Sequence, residues 1–146
     1  MNRFTNYKVQ RCYFSGRFIF LSSFGKRTHS GVPGERQCAY PFDGPGKVLA
    51  HAYFPRDGRI HFDNEEFYTE TGKSTGWWLW TRSSQSLIYV AVHEIGHALG
   101  LRHSTVKGSV MWPTAKTGRP TLHQDDINGI QSLYGECEKK KLNEFP

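Results

Sequence analysis

The chain has 146 residues, enough for one domain with one core, and 37% of them are apolar, with 10 Phe, 7 Tyr and 4 Trp. Its net charge is +6, but Lys139-Lys140-Lys141 supplies half of the excess and the other basic residues are scattered; no basic helix interleaved with aromatics argues for nucleic acid. No apolar run approaches the ~18 residues of a membrane span, and Phe18-Ile19-Phe20-Leu21 is too short for a secretory leader core of roughly 7–15 residues.

Three cysteines, Cys12, Cys38 and Cys137, are an odd count, so no closed disulfide framework is implied. At least one is free, binds metal, or pairs outside this chain. Residues 1–15 carry no periodicity. Residues 17–24 are aromatic and β-branched and predict a strand. Gly25 and Ser30-Gly31-Val32-Pro33-Gly34 predict loop. Tyr40-Pro41-Phe42-Asp43-Gly44-Pro45-Gly46 is turn chemistry. Residues 48–54 alternate as a strand requires, with Val48, Ala50, Ala52 and Phe54 on one face. Pro55-Arg56-Asp57-Gly58 predicts a turn, and Arg59-Ile60-His61-Phe62-Asp63 a second short strand. Trp77, Trp78 and Trp80 are expected to cover the core.

A helix is predicted next, with Ser83, Ser84 and Ser86 as candidate N-caps. Ile88, Ala91, Val92, Ile95 and Leu99 recur at helical spacing and predict its buried face. His93 and His97 project from a different edge. A last helix is predicted with Thr121-Leu122-His123-Gln124 as a capping box, Ile127, Ile130 and Leu133 facing the core, and Gly135 ending it.

The stretch from His93 to Ser104 reads H-E-x-x-H-x-x-G-x-x-H. Residues four apart on a helix share one face, so His93 and His97 can aim at one ion. Gly100 tolerates the left-handed conformation that ends a helix and turns the chain back. His103 then becomes a third nitrogen ligand. Three protein ligands leave one position open, as in a catalytic zinc. Glu94 cannot join the ligands but can reach a water in that position.

The extended motif, Ser104 after it and then Ser109-Val110-Met111 resemble the matrixins, the matrix metalloproteinase family of metzincins. The Ser after the third His separates matrixins from other metzincins, and Met111 matches their Met-turn. P-F-D-G at 41–44, L-A-H-A at 49–52, H-F-D-x-x-E at 61–66 and the last helix, through Leu133-Tyr134-Gly135, carry the same resemblance. Cys12 does not resemble the P-R-C-G segment of matrixin propeptides.

That resemblance implies an α+β, metzincin-like fold: a twisted, mostly parallel sheet with an active-site helix and a C-terminal helix. It implies that the first helix and first strands of the fold are missing. Residues 17–135 would be a partial catalytic domain, 1–16 an unassigned segment, and 136–146 a hinge or the start of a hemopexin-like domain. It implies Zn²⁺ on His93, His97 and His103, a second Zn²⁺ on His51 and His61, and Ca²⁺ on Asp43, Asp63 and Glu66. The other two ligand positions of the second zinc hold Arg36, which cannot bind a cation, and Cys38, which can. His29 is a more distant fourth. Asp125 and Asp126 match acids that anchor their region internally. Leu49 and Ala50 would pair with an extended substrate, and Pro113 and Ala115 would line the S1′ pocket, where Ala115 replaces the usual Tyr.

The implied function is zinc-dependent hydrolysis of peptide bonds in extracellular proteins, with Glu94 as general base. The implied setting is a secreted, monomeric protein that meets protein or peptide substrates and tissue inhibitors of metalloproteinases. The alternative is a truncated zinc-binding fragment with weak activity or none.

Overall fold

The computed structural model describes residues 21–29, 37–73 and 84–135. The predicted strand residues 17–20, loop residues 30–34, Arg36, Trp77, Trp78, Trp80, Ser83, Cys12, Cys137 and both terminal segments lie outside the described residues.

The elements are β1 (Leu21–Gly25), β2 (Ala50–Ala52), β3 (Arg59–Asp63), β4 (Tyr68–Thr69), β5 (Gln85–Ser86), α1 (Leu87–Ala98) and α2 (Gln124–Tyr134). One sheet has the order β1-β3-β2 and a second pairs β4 with β5. β1 runs parallel to β3 in the register Leu21↔Arg59 to Gly25↔Asp63, and β2 runs antiparallel with Ala50↔Phe62, His51↔His61 and Ala52↔Ile60. β4 and β5 are parallel. Parallel pairing therefore predominates among the described strands, in an α+β arrangement with two helices.

β3 is the middle strand and is covered on both faces. Its side chains alternate, so Ile60 and Phe62 point one way and His61 and Asp63 the other. Ile60 and Phe62 form a buried cluster with Val90 and Ala98 of α1, and Ala50 and Ala52 of β2 pack against it. Phe24 of β1 stacks on Phe62, with ring centroids 5.2 Å apart. Burying side chains of this kind stabilises by roughly 1.5–3 kcal/mol each. The opposite face of β3 carries polar chemistry instead.

α1 starts at Ser86, whose Oγ accepts from Tyr89 N–H at 3.2 Å and donates to Gly118 O at 2.8 Å. Of the serine candidates, Ser86 is the cap. The buried side of α1 differs from the predicted stripe: Tyr89, Val90, Glu94, Gly96 and Ala98 are buried, whereas Ile95 is 37% exposed. The helix is apolar on several sides, so periodicity underdetermines its orientation. Packing onto β2 and β3 selects the i, i+4, i+8 row Val90–Glu94–Ala98.

α2 is capped by His123, not by Thr121. His123 Nδ1 accepts from Asp125 N–H at 3.1 Å, and Asp126 accepts from His123 N–H at 2.8 Å. The box is thus shifted by two residues, because an imidazole nitrogen takes the part that a hydroxyl usually plays. Leu133 is 51% exposed among the described residues, and Gly129 instead approaches Leu101. Gly135 follows with φ +82°.

Candidate functional site

α1 places His93 and His97 on one edge. His93 Nδ1 donates to Val110 O and His97 Nδ1 donates to Leu101 O, both at 2.7 Å. These bonds fix the tautomer and leave each Nε2 lone pair free, the second requirement of a metal-binding imidazole. α1 then ends through Gly100, at φ +103°, with Gly100 N–H on His97 O and Leu101 N–H on Gly96 O. That turn carries His103 back beneath the helix. His93 Nε2 and His103 Nε2 come to 3.3 Å, and the donor atoms of all three histidines lie within 4.8 Å of one another.

The donor set fits zinc. Four ligands about 2.0–2.1 Å from a tetrahedral ion stand about 3.3 Å apart. Two lone pairs facing each other at that distance repel unless a cation or proton sits between them. Burial is the main cause that lowers His93 to about 4 and also lowers His97, so both imidazoles are neutral and ready to ligate.

Glu94 is 6% exposed, and its Oε2 has no hydrogen-bond partner among the described residues. Burial raises its pKa to about 7. It lines a cleft of about 990 Å³ together with the three histidines. Leu49, Ala50, Pro113 and Ala115 also line that cleft. All four predicted substrate residues are thus on the same cavity. The carbonyl oxygen of Leu49 is turned inward, accepting from Asp63 N–H at 2.9 Å and Tyr68 OH at 2.5 Å. A peptide could not use that oxygen.

Beneath the site, Asp126 of α2 accepts from Ser109 Oγ, from Val110 N–H at 2.9 Å and from Met111 N–H at 3.1 Å. Ser104 adds a second tie, donating to Asp125 Oδ2 at 2.6 Å, while its N–H reaches Met111 O at 2.8 Å. The Met-turn, the third histidine and α2 are thereby one hydrogen-bonded unit. The sequence singles out both acids, but not that Asp126 holds the backbone whose carbonyl orients His93.

Met111 Sδ occupies the space that a Cβ on Gly96 would take. Gly96→Ala is expected to displace Met111, lower stability by about 1–3 kcal/mol as overpacking does, and weaken zinc retention. Urea melts and metal analysis of the variant check this. An unchanged melt would mean the methionine yields freely.

A second donor group lies on the far face of β3. His29, Cys38, His51 and His61 bring one ligand atom each within 4.8 Å of the others. The first three predicted members, His51, His61 and Cys38, do meet, and His29 joins them. His29 stacks on Phe42 at 4.5 Å between centroids. Burial, then His61 and His29, lower His51 to about 4.

Asp43, Asp63 and Glu66 do not form a third such group among the described residues. Asp63 is fully buried, and its Oδ2 has no hydrogen-bond partner among them. Glu66 accepts from Gly46 N–H, and Asp43 Oδ2 stands 3.9 Å from Lys47 Nζ.

The Matrixin family model matches residues 28–135. The chain belongs to the matrixin family. This matrixin is 49% identical over 98 residues to metalloendoproteinase 1 of Glycine max, an alignment covering 66% of the chain and 32% of that protein. It is 40% identical over 129 residues to stromelysin-1 of Equus caballus, covering 84% and 24%. It is 46% identical over 104 residues to human matrilysin, covering 67% and 36%. The chain therefore spans well under half the length of these relatives. Family membership implies zinc, and the three converging histidines fit it. No described helix is long and apolar enough to cross a membrane.

Proposed function

We propose that this chain is the catalytic part of a zinc-dependent endopeptidase that cuts extracellular proteins. Supporting the reading above all is the convergence of three imidazoles beside a buried carboxyl with an unpartnered oxygen, in one cleft.

His93, His97 and His103 would hold zinc, which would supply Lewis acidity for peptide hydrolysis when bound. Glu94 would accept a proton from the attacking water and return it to the leaving nitrogen. Its pocket suits the task, because a carboxyl near 7 both accepts and returns a proton at neutral pH. β2 is an edge of the described sheet and offers the outward backbone of Ala50 to an extended peptide, a β-augmentation. Pro113 and Ala115 line the same cleft and receive a side chain, with Ala115 leaving more room than a Tyr would.

The proposed working unit is residues 17–135, with 136–146 as a hinge or the start of a hemopexin-like domain. Its setting is extracellular and monomeric, with tissue inhibitors of metalloproteinases as partners. A second Zn²⁺ on Cys38, His51 and His61 and a Ca²⁺ near Asp43, Asp63 and Glu66 complete the proposal. The buried, unpartnered Asp63 Oδ2 supports the calcium.

The test is a quenched peptide assay with metal analysis. A zinc chelator should abolish cleavage, and added Zn²⁺ should restore it. His103→Ala should lose one zinc and all cleavage. Undiminished cleavage after complete zinc removal would refute the reading.

A further inference from the structure

The group His29, Cys38, His51 and His61 has four donors, one more than the second zinc of the proposed function assigns to it. Taking that second zinc as given, we propose that His29 closes this site as a one-thiolate, three-imidazole zinc centre, that the zinc holds β2 in place for substrate, and that oxidation of Cys38 by hydrogen peroxide releases it.

All four donor atoms lie within 4.8 Å of one another, and three of their spacings are close to the edges of a zinc tetrahedron. His29 Nε2 is 3.0 Å and His51 Nε2 3.1 Å from His61 Nδ1, and Cys38 Sγ is 3.3 Å from His51 Nε2. Zinc bonds of about 2.0–2.1 Å to nitrogen and 2.3 Å to sulfur give edges of about 3.3–3.6 Å. Four protein donors leave no open position, so this centre is structural.

The donors come from the segment after β1, the loop before P-F-D-G, β2 and β3. Cys38 N–H on His29 O, at 2.7 Å, already joins the first two. An ion here would cross-link all four. β2 has three residues, and His51 is the middle one, between Ala50 and Ala52, which line the substrate cleft. The same strand thus lines the substrate cleft and supplies a donor to the zinc.

Among the four donors only the sulfur is readily oxidised by peroxide. Its lone pair attacks one peroxide oxygen, an S–O bond forms, the O–O bond breaks and hydroxide leaves. Sulfur loses two electrons and the peroxide gains them, and the product is a sulfenic acid. Zinc then loses its thiolate. The Tyr53 hydroxyl stands 3.0 Å from Sγ. Cys38 is 5% exposed, but Tyr40, whose N–H reaches Sγ at 3.5 Å, is 62% exposed, so the sulfur lies one residue below the surface.

The experiment counts zinc with a chromogenic chelator before and after hydrogen peroxide, and measures peptide KM in parallel. The parent chain should hold two zinc ions, release one, and show a raised KM with kcat little changed; thiol reductant plus Zn²⁺ should reverse both. Cys38→His should hold two and release none. The Co²⁺-loaded parent should show a thiolate-to-cobalt band that peroxide erases, a measurement that needs no variant. Two zinc ions held with none released, or equal release from Cys38→His, would overturn the oxidation step while leaving the site intact. One zinc per chain, lost in His103→Ala, would overturn the second zinc itself.

Discussion

Glu94→Gln is expected to keep zinc and fall by about 10²–10⁴-fold in kcat, the usual worth of a positioned general base. The amide has the same shape but cannot take a proton. Glu94 sits in a buried position that already raises its pKa to about 7. A neutral side chain there avoids the cost of burying a charge, so the variant should melt no lower than the parent at neutral pH. Parallel assays of cleavage, bound zinc and melting separate the roles. A variant that loses its zinc would make Glu94 a structural support of the site, and one that cleaves at the parent's rate would remove it from the chemistry.

Asp126→Ala should have the largest effect on folding. The carboxylate accepts from the backbone of Val110, Met111 and His123 and from Ser109 Oγ. Ser109 and Asp126 are 0% and 4% exposed, so the abandoned donors would be buried. Bonds to a charged group contribute about 1.5–3 kcal/mol each and are not additive; a loss of about 3–5 kcal/mol is expected, against a total stability of roughly 5–15 kcal/mol for a domain. Urea unfolding measures it. A loss below about 1 kcal/mol would show that water replaces the carboxylate. Zinc retention should fall as well, because Val110 O orients His93.

The same residue makes stability depend on acid. Burial pushes the Asp126 carboxyl up, but the bonds from Ser109, Val110, His123 and Met111 outweigh it, and the net shift is downward. A folded pKa below the unfolded ~3.9 means stability that is present above that value and lost as pH falls through the folded one. Unfolding free energies of parent and Asp126→Ala should therefore converge below about pH 3.9. A gap that persists unchanged into strong acid would contradict the linkage.

Legibility depended on whether chemistry or packing fixed a residue. His93, His97 and His103 are readable because metal ligation demands particular atoms at particular spacings. β3 is readable to the residue, since Arg59–Asp63 is bounded by turn residues and alternates cleanly. The buried side of α1 is not, because Ile88, Val92 and Ile95 form as apolar a stripe as the one that packs. The cap of α2 is misplaced for a similar reason, with two acceptors standing two residues apart. His29 reads only as a distant ligand, since what brings it to Cys38 is the pairing of β1 with β3, a long-range event that local text does not carry. The lock on Asp126 arises the same way, from α2 returning under the Met-turn.

The close approach of Met111 to Gly96 has a consequence for transplanting this chemistry. One letter of H-E-x-x-H in this chain is set by a notch in the helix wall, not by coordination or proton transfer. A designer who copies the two histidines and the glutamate onto another helix, and fills the notch with alanine, would raise the floor under the imidazoles. The recipient scaffold would carry every reactive atom and still seat its ion on the wrong base.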